Sequence, residues 1–142
     1  MQEEIFFQLF LASFLGAIIG FEREYKKKQA GLQTYSLVAL GSCLFTLLAF
    51  EFFNNFFIKT GISFDPSRII QAVAIGVGFI GAGIIFQKED KVEGLTTAAG
   101  LWATAAIAIA VGTKFYLPAV FATFLALLIL VGLGELEKGF LK

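Results

Sequence analysis

The sequence predicts an all-α, polytopic membrane protein, a bundle of about five transmembrane helices. Apolar residues make up 58% of the 142 residues and charged residues 15%, whereas a soluble domain carries about a quarter charged residues. A soluble chain of this length buries only about two-thirds of its surface, which is too little to hide so many apolar side chains. The apolar residues also cluster in five uncharged stretches, each close to the roughly 20 residues that cross a bilayer.

These five stretches are the predicted helices of a single domain, residues 1–142. The first is predicted to be a retained helix and not a cleaved leader, because its start is acidic and its basic residues follow the apolar run. The second can continue to Ile58, because its phenylalanines suit a membrane interface. The predicted helices are Ile5–Phe21, Tyr35–Phe50, Ile69–Phe86, Thr96–Val111 and Phe115–Leu133.

Turn and cap signals support the boundaries of the later helices. Asp65 is a good N-cap and Pro66 suits the first helical position, so the third helix begins near them. Thr96 or Thr97 can cap the fourth helix. Only the turn at 112–114 separates the last two helices, and so short a connection makes them antiparallel neighbours.

Small residues at helical spacing are predicted to hold the bundle together, because membrane helices associate by close backbone approach. The 18 phenylalanines are then left to cover the lipid-facing side. Because such faces are in surplus, we expect a homodimer. The faces are Ala12, Gly16 and Gly20; Ala72, Gly76 and Gly83, with Gly78, Gly81 and Ala82; and Ala99, Ala103, Ala106 and Ala110.

Basic residues are distributed unequally between the two sides of a five-helix bundle. Eight fall on one side and three on the other, and the positive-inside rule puts the larger group in the cytoplasm. The N-terminus is then outside and the C-terminus cytoplasmic. The eight are Arg23, Lys26, Lys27, Lys28, Lys88, Lys91, Lys138 and Lys142, and the three are Lys59, Arg68 and Lys114.

Side chains that commonly carry enzyme chemistry are scarce. The chain has no histidine and one cysteine, Cys43, which lies inside an apolar run, so the usual general base and the usual transition-metal ligand are missing. The net charge is zero and no basic stripe occurs, which argues against nucleic acid as a partner. We therefore expect a non-enzymatic protein with the lipid bilayer as its surroundings and no resident cofactor.

Charged residues at helix ends are the first candidate functional residues. Glu22 ends the first helix, where a carboxylate meets an unfavourable dipole, so we expect it to pair with Arg23, with a basic residue of another loop, or with a bound cation. Asp65 and Arg68 flank the start of the third helix, where Asp65 caps the helix or attracts cations. Mg²⁺ uses one or two carboxylates and keeps several waters, but Glu22 and Asp65 lie on opposite sides of the membrane and cannot share one ion.

Four glycines within eight residues mark the third helix: Gly76, Gly78, Gly81 and Gly83. A glycine costs about 1 kcal/mol against alanine in a helix. This segment therefore serves tight helix packing, or it is a loosened helix whose freed carbonyls line a polar cavity.

Two features of the fourth helix complete the candidates. Thr97 and Thr104 lie on one face and can hydrogen-bond across the bundle. Trp102 lies inside the span and not at its edge, so we expect it to pack internally or to line a cavity.

Five motifs occur in order along the chain: Glu22-Arg23, AGLQT at 30–34, DPSR at 65–68, GVGFIGAG at 76–83 and VEGLTTAAGLW at 92–102. Together they resemble the membrane domain of the MgtC/SapB family of bacterial inner-membrane proteins, from about Phe14 to Val111. The resemblance implies a five-helix membrane domain with a cytoplasmic C-terminus and a link to magnesium limitation. The positions that match the family's polar motif residues are Glu22, Arg23, Asp65, Arg68, Thr96 and Thr97.

In the virulence-associated branch, the resemblance implies action on other membrane complexes, including the proton-driven ATP synthase. Members of that branch carry a further cytoplasmic domain after the last helix, whereas this chain stops at Lys142. They usually have Arg at the position of Gln33, Asn at that of Thr96 and Cys at that of Ala103. The chain is therefore identified as a short SapB-like member.

Three functions follow from these observations. The first is a non-enzymatic protein of magnesium or other cation homeostasis, which modulates a partner membrane complex or handles a small solute. The second is a channel or transporter pore that a dimer forms around the glycine-rich third helix. The third is a structural module that binds the helices of another membrane protein.

Overall fold

The computed structural model describes residues 2–60 and 65–140, with the backbone alone at 56–60, 137, 138 and 140. Most of this part is helical, so the predicted α-class is confirmed. A π-helical turn, Ile129–Leu133, joins the last two helices into one continuous element. The helices are α1 (Gln2–Tyr25), α2 (Leu32–Thr60), α3 (Ser67–Ala82), α4 (Leu95–Gly112), α5 (Tyr116–Leu128) and α6 (Gly134–Phe140).

Four of these segments are long and apolar enough to cross a membrane. They are Gln2–Tyr25, Leu32–Asn55, Leu95–Gly112 and Tyr116–Leu136, whereas α3 is apolar but shorter. Large apolar side chains, phenylalanines prominent among them, cover the outside of the bundle. The phenylalanines are therefore exposed on the outside, and their contact with lipid stays a prediction.

Successive apolar helices run in opposite directions. Arg23 near the end of α1 contacts Thr97 near the start of α4, and a Cβ placed on Gly81 near the end of α3 would touch Ala98. These helix ends therefore share one end of the bundle, which we call the basic end. Its basic residues are Arg23, Lys26, Lys27, Lys28, Lys88 and Lys91. Three other basic residues were counted in predicting the orientation but cannot be placed: Lys142 lies outside the described residues, as do the side chains of Lys59 and Lys138.

A β-hairpin replaces the predicted last turn of the third helix. The helix α3 ends at Ala82 and not at Phe86, and β1 (Phe86–Lys88) pairs antiparallel with β2 (Lys91–Glu93). Gly81 and Gly83 weaken the helix at this point, and the apolar run that continues to Phe86 misled the prediction. Gly94 follows at φ 89, a left-handed conformation that favours glycine.

The helices α1 and α2 pack closely, and glycine makes the approach possible. A Cβ on Gly16 would lie 2.7 Å from the Tyr35 carbonyl oxygen and 2.7 Å from the Ala39 Cβ. A Cβ on Gly20 would lie 2.9 Å from the Gly31 carbonyl oxygen. The predicted face of Ala12, Gly16 and Gly20 is thus buried inside one chain, so it is not available as the dimer surface that we expected it to supply.

The other predicted small-residue faces do not hold this bundle together. On α4 the alanine face is partly or fully exposed, and the helix instead buries the face that contains Thr97, Leu101 and Ala108. On α3, a Cβ on Gly76 or Gly78 would meet no atom of the described residues within 4 Å, and only Gly81 packs closely, against Ala98. Tight packing within the chain therefore explains why residue 81 of α3 is glycine, but it does not explain Gly76 and Gly78.

An apolar groove runs between α2 and α3. It has a volume of about 560 Å³, and small residues from both helices form part of its wall. The exposed glycine Gly76 lies in that wall. Its lining residues include Gly41, Ser42, Ala72, Gly76 and Val77.

Two helices end with a lysine in the left-handed conformation. Lys27 has φ 51 and Lys114 has φ 66. After α1, the Lys28 N–H donates to the Arg23 carbonyl at 3.0 Å and the Lys27 N–H to the Glu24 carbonyl at 2.9 Å. This is the Schellman pattern, in which glycine is the usual residue, and the same pattern confirms the predicted tight turn between α4 and α5.

Candidate functional site

A buried arginine joins α1 to α4 at the basic end. The Arg23 side chain is 4% exposed, and its Nη2 donates to the Thr97 hydroxyl at 3.1 Å. That hydroxyl in turn donates to the Gln29 Oε1 at 3.1 Å. Two residues that the sequence singled out in separate motifs, Arg23 and Thr97, are thus brought into direct contact.

Tyr35 of α2 adds a third helix to this network. Its side chain is fully buried, and the hydroxyl donates to the Thr97 carbonyl at 3.1 Å. A Cβ on Gly100 would lie 2.5 Å from the Tyr35 Oη, so the glycine one turn further along α4 leaves room for the hydroxyl. The network therefore fixes α1, α2 and α4 at one level of the bundle.

Glu22 pairs with Lys26, which in turn contacts the last helix. Its side chain is 11% exposed, and Oε1 lies 2.8 Å from the Lys26 Nζ. The same Nζ donates to the Leu130 carbonyl oxygen at 3.3 Å and lies 4.0 Å from the Glu135 Oε1. Leu130 belongs to the π-helical turn, so Lys26 connects the end of α1 to that turn.

The Glu22–Arg23 pair leaves buried polar atoms without a hydrogen bond. Both Glu22 oxygens and the Arg23 Nε are inaccessible and, within the part of the chain that the structure describes, lack a partner with hydrogen-bond geometry. The short contact from Lys26 to Oε1 is therefore an ion pair with poor angles, while Oε2 has only the Arg23 Nη1 at 3.7 Å. Buried polar atoms of this kind need a water, an ion or another ligand.

The expected partner of Glu22 is therefore present, and it comes from α1 itself. Lys26 is four residues further along the helix, which is the spacing of neighbouring side chains on one face. Arg23 is a second, longer contact. Whether the carboxylate also binds a cation stays a prediction.

Asp65 and Arg68 lie at the opposite end of the bundle, on exposed positions at the start of α3. The Ser67 N–H donates to the Asp65 Oδ1 at 2.9 Å, but the N-cap of α3 is Pro66 and not the predicted Asp65, and the helix begins at Ser67. Hydrogen bonds from Ser67 lower the pKa of the Asp65 carboxyl. Among the residues that the structure describes, neither of these two contacts the basic end.

Thr96 and Trp102 differ from the predictions. Gly94 and not a threonine is the N-cap of α4, and Thr96 is exposed beside the buried Thr97. The Trp102 side chain is 57% exposed, so it neither packs internally nor lines an internal cavity of the single chain. It lies on the same outward side of α4 as the exposed alanines, because the helix buries the face of Thr97 and Leu101.

Three buried threonine hydroxyls away from the basic end bond to the backbone of their own helices. Thr104 donates to the Gly100 carbonyl at 2.8 Å and not across the bundle as predicted, and Thr46 and Thr123 bond to their own helices in the same way. The core between them is apolar. Among the described residues, these groups do not form a polar path from one end of the bundle to the other.

A polar pocket of about 470 Å³ lies at the end opposite the basic end. The Glu4 Oε1 is 2.8 Å from the Lys114 Nζ, and this hydrogen bond raises the pKa of the lysine. Gln8 is buried and donates to the Val111 and Gly112 carbonyls at 2.9 and 3.1 Å. The pocket's polar groups thus serve mainly to close the end of α4.

Sequence reasoning missed four parts of the basic-end site: Lys26, Gln29, Tyr35 and Gly100. Lys26 entered the sequence analysis only as one of the basic residues that set the membrane orientation, although its spacing of four residues from Glu22 was a usable signal. Tyr35 and Gly100 gave no signal, because their contact depends on the register between α2 and α4. In residues 2–60 and 65–140, no group of three or more histidine, cysteine or acidic side chains is placed to hold a metal ion.

Comparisons with known proteins agree with the motif order. The family model described as the MgtC family matches residues 9–139. The chain is 39% identical over 130 residues to YhiD of Escherichia coli, named as a candidate magnesium transporter, covering 92% of this chain and 60% of that protein. It is 40% identical over 129 residues to Protein SapB of Bacillus subtilis, covering 90% and 55%.

A third relative is Protein MgtC of Brucella abortus, 40% identical over 112 residues that cover 79% of this chain and 44% of the relative. The chain thus spans about half the length of these relatives. No solved structure matches the chain.

Proposed function

The chain belongs to the MgtC family, and from that premise we propose that it is a non-enzymatic protein of magnesium homeostasis in the bacterial inner membrane. One relative is named for magnesium transport, which supports the ion. The observation that carries the proposal is the network of Glu22, Arg23, Lys26 and Thr97. It places buried charges where a bundle held by packing alone needs none, since buried charges are costly unless they are paired.

The charge distribution supports the orientation. Every basic residue of the basic end that the structure describes lies on the side that the positive-inside rule assigns to the cytoplasm. The network then faces the cytoplasm, where the free magnesium concentration of the cell is set. Asp65 and the pocket of Glu4 and Lys114 face outward in this orientation.

The geometry favours modulation of a partner membrane complex over a pore. A pore around the glycine-rich helix requires freed carbonyls or polar side chains at mid-membrane. Instead α3 is one continuous helix, and the groove beside Gly76 is lined mainly by apolar side chains. The same groove suits a helix of a second copy or of another complex, because small residues permit close approach.

A growth assay tests the magnesium proposal. A deletion strain of the source organism should grow poorly when magnesium is scarce, and this chain should restore growth. Glu22→Gln keeps the shape of the side chain and removes the charge that pairs with Lys26. We therefore expect this variant to restore at most a tenth of the growth that the wild-type chain restores. The variant must reach the membrane at the wild-type level, measured by immunoblot.

Glu3→Gln is the matched control, since Glu3 is an exposed carboxylate at the far end of α1. It should restore growth fully. Normal growth of the deletion strain in scarce magnesium would overturn the proposed function. Full activity of Glu22→Gln would remove the network from it.

The homodimer remains a proposal, and its surface moves to α3. The exposed glycines Gly76 and Gly78 offer a close approach that the single chain does not use. We expect Ile75→Cys, at a side chain 66% exposed, to crosslink to a second copy in membranes, with Leu117→Cys, 80% exposed on α5, as the control. Crosslinking at Leu117→Cys alone would contradict this surface.

A further inference from the structure

The Lys26 ammonium occupies a position that resembles a cation site. Within 4.0 Å of its Nζ lie three oxygens from two separate segments: Glu22 Oε1 at 2.8 Å, the Leu130 carbonyl at 3.3 Å and Glu135 Oε1 at 4.0 Å. Carboxylate and carbonyl oxygens are also the ligands that hard divalent cations take. The protein thus holds a positive charge among oxygens that suit a metal ion.

A buried carboxylate oxygen shows that this position is not fully satisfied by the lysine. Glu22 Oε2 is inaccessible and has no hydrogen-bond partner among the described residues. An Mg²⁺ ion keeps several of its waters. Such a water donates to Oε2, which accounts for the orphaned carboxylate oxygen.

The lysine can leave, whereas the arginine cannot. The Lys26 side chain is 22% exposed, so its ammonium has access to solvent at the basic end. Arg23 is enclosed and bonded to Thr97. Exchange of the ammonium for a hydrated divalent cation therefore leaves the α1–α4 network in place and releases only the tether to Leu130.

We propose that a hydrated divalent cation competes with the Lys26 ammonium for Glu22, so that cation binding frees the π-helical turn of the last helix from α1. This inference deepens the proposed function, on which it rests for its physiological meaning, by giving the site a ligand and a response. When magnesium is scarce, Lys26 holds the turn. When magnesium is abundant, the ion replaces the ammonium and the tether opens.

Mn²⁺, detected by electron paramagnetic resonance and displaced by Mg²⁺, tests this in the purified chain in a neutral detergent. Removing the competing ammonium with Lys26→Met should tighten Mn²⁺ binding at least tenfold. Lys28→Met removes the same charge two residues away, from an exposed side chain, and should change the affinity less than twofold. Lys26→Gln carries the same expectation if Lys26→Met does not fold.

The decisive variant is Glu22→Gln combined with Lys26→Met, which should lose the tightened site. Equal affinities of Lys26→Met and Lys28→Met would overturn the proposal, and so would a double variant that binds as Lys26→Met does. Because this assay uses no cells, a negative result here together with a positive growth assay would reject the ion site and leave the proposed function standing. The reverse combination would reject the function alone.

Discussion

Arg23→Leu is expected to lower the free energy of unfolding by about 3–5 kcal/mol, the usual cost of removing one partner of a buried ion pair. The Arg23 side chain is 4% exposed, so water cannot take the place of the guanidinium that the leucine variant lacks. The Thr97 hydroxyl loses the donor that holds it, and Glu22 keeps Lys26 as its one remaining ionic partner. The change should appear as a large drop in the thermal midpoint of the purified protein in detergent.

Arg68→Leu provides the matched control for this variant. Arg68 is exposed at the start of α3, and exposed charges contribute little to stability. We expect a change below about 0.5 kcal/mol. Similar losses for the two leucine variants would mean that the buried network does not stabilise the bundle.

Gly94→Ala is expected to cost about 2–4 kcal/mol, because it combines backbone strain with overpacking. The residue has φ 89, and an added Cβ would lie 2.3 Å from the Ile84 carbonyl oxygen and 2.9 Å from the Ile84 carbonyl carbon. Backbone atoms cannot turn aside as a side chain can. The hairpin of β1 and β2 must therefore shift against the start of α4.

Gly76→Ala tests the same chemical change where the structure leaves space. No atom would lie within 4 Å of its Cβ, and alanine is the better helix former by about 1 kcal/mol. We expect unchanged or slightly higher stability, measured by the same thermal unfolding. A loss at Gly76 that equals the loss at Gly94 would show that neither position behaves as the geometry requires.

The helices could be predicted because length and hydropathy decide them almost locally. Each predicted span overlaps an observed helix. The third prediction runs too far along an apolar stretch, to Phe86, whereas α1 and α2 continue into polar residues beyond their predicted spans. The hairpin was missed because its strands are three residues long and are specified by the turn and by Gly94 and not by alternation. The π-helical turn in an uninterrupted apolar run gave no sequence signal at all.

The site was predictable in its members more than in its arrangement. Glu22, Arg23 and Thr97 were singled out from motifs, and Arg23 and Thr97 meet. Asp65 and Arg68 were predicted beside the other end of the third helix and are found there, without a link to the buried network. Which glycines face a neighbour could not be read from spacing, because spacing defines a face of a helix and not what lies opposite it: Gly81 meets Ala98, while Gly76 meets nothing.

The length of α3 has a consequence for the lipid around it. Its 16 residues rise about 24 Å, several ångströms less than the roughly 30 Å hydrocarbon thickness of a bilayer. A short helix on the rim of a bundle draws the two leaflets together, which costs a fraction of a kcal/mol for each ångström of mismatch. That cost falls when two thinned regions merge, so the membrane itself favours bringing the α3 sides of neighbouring proteins together.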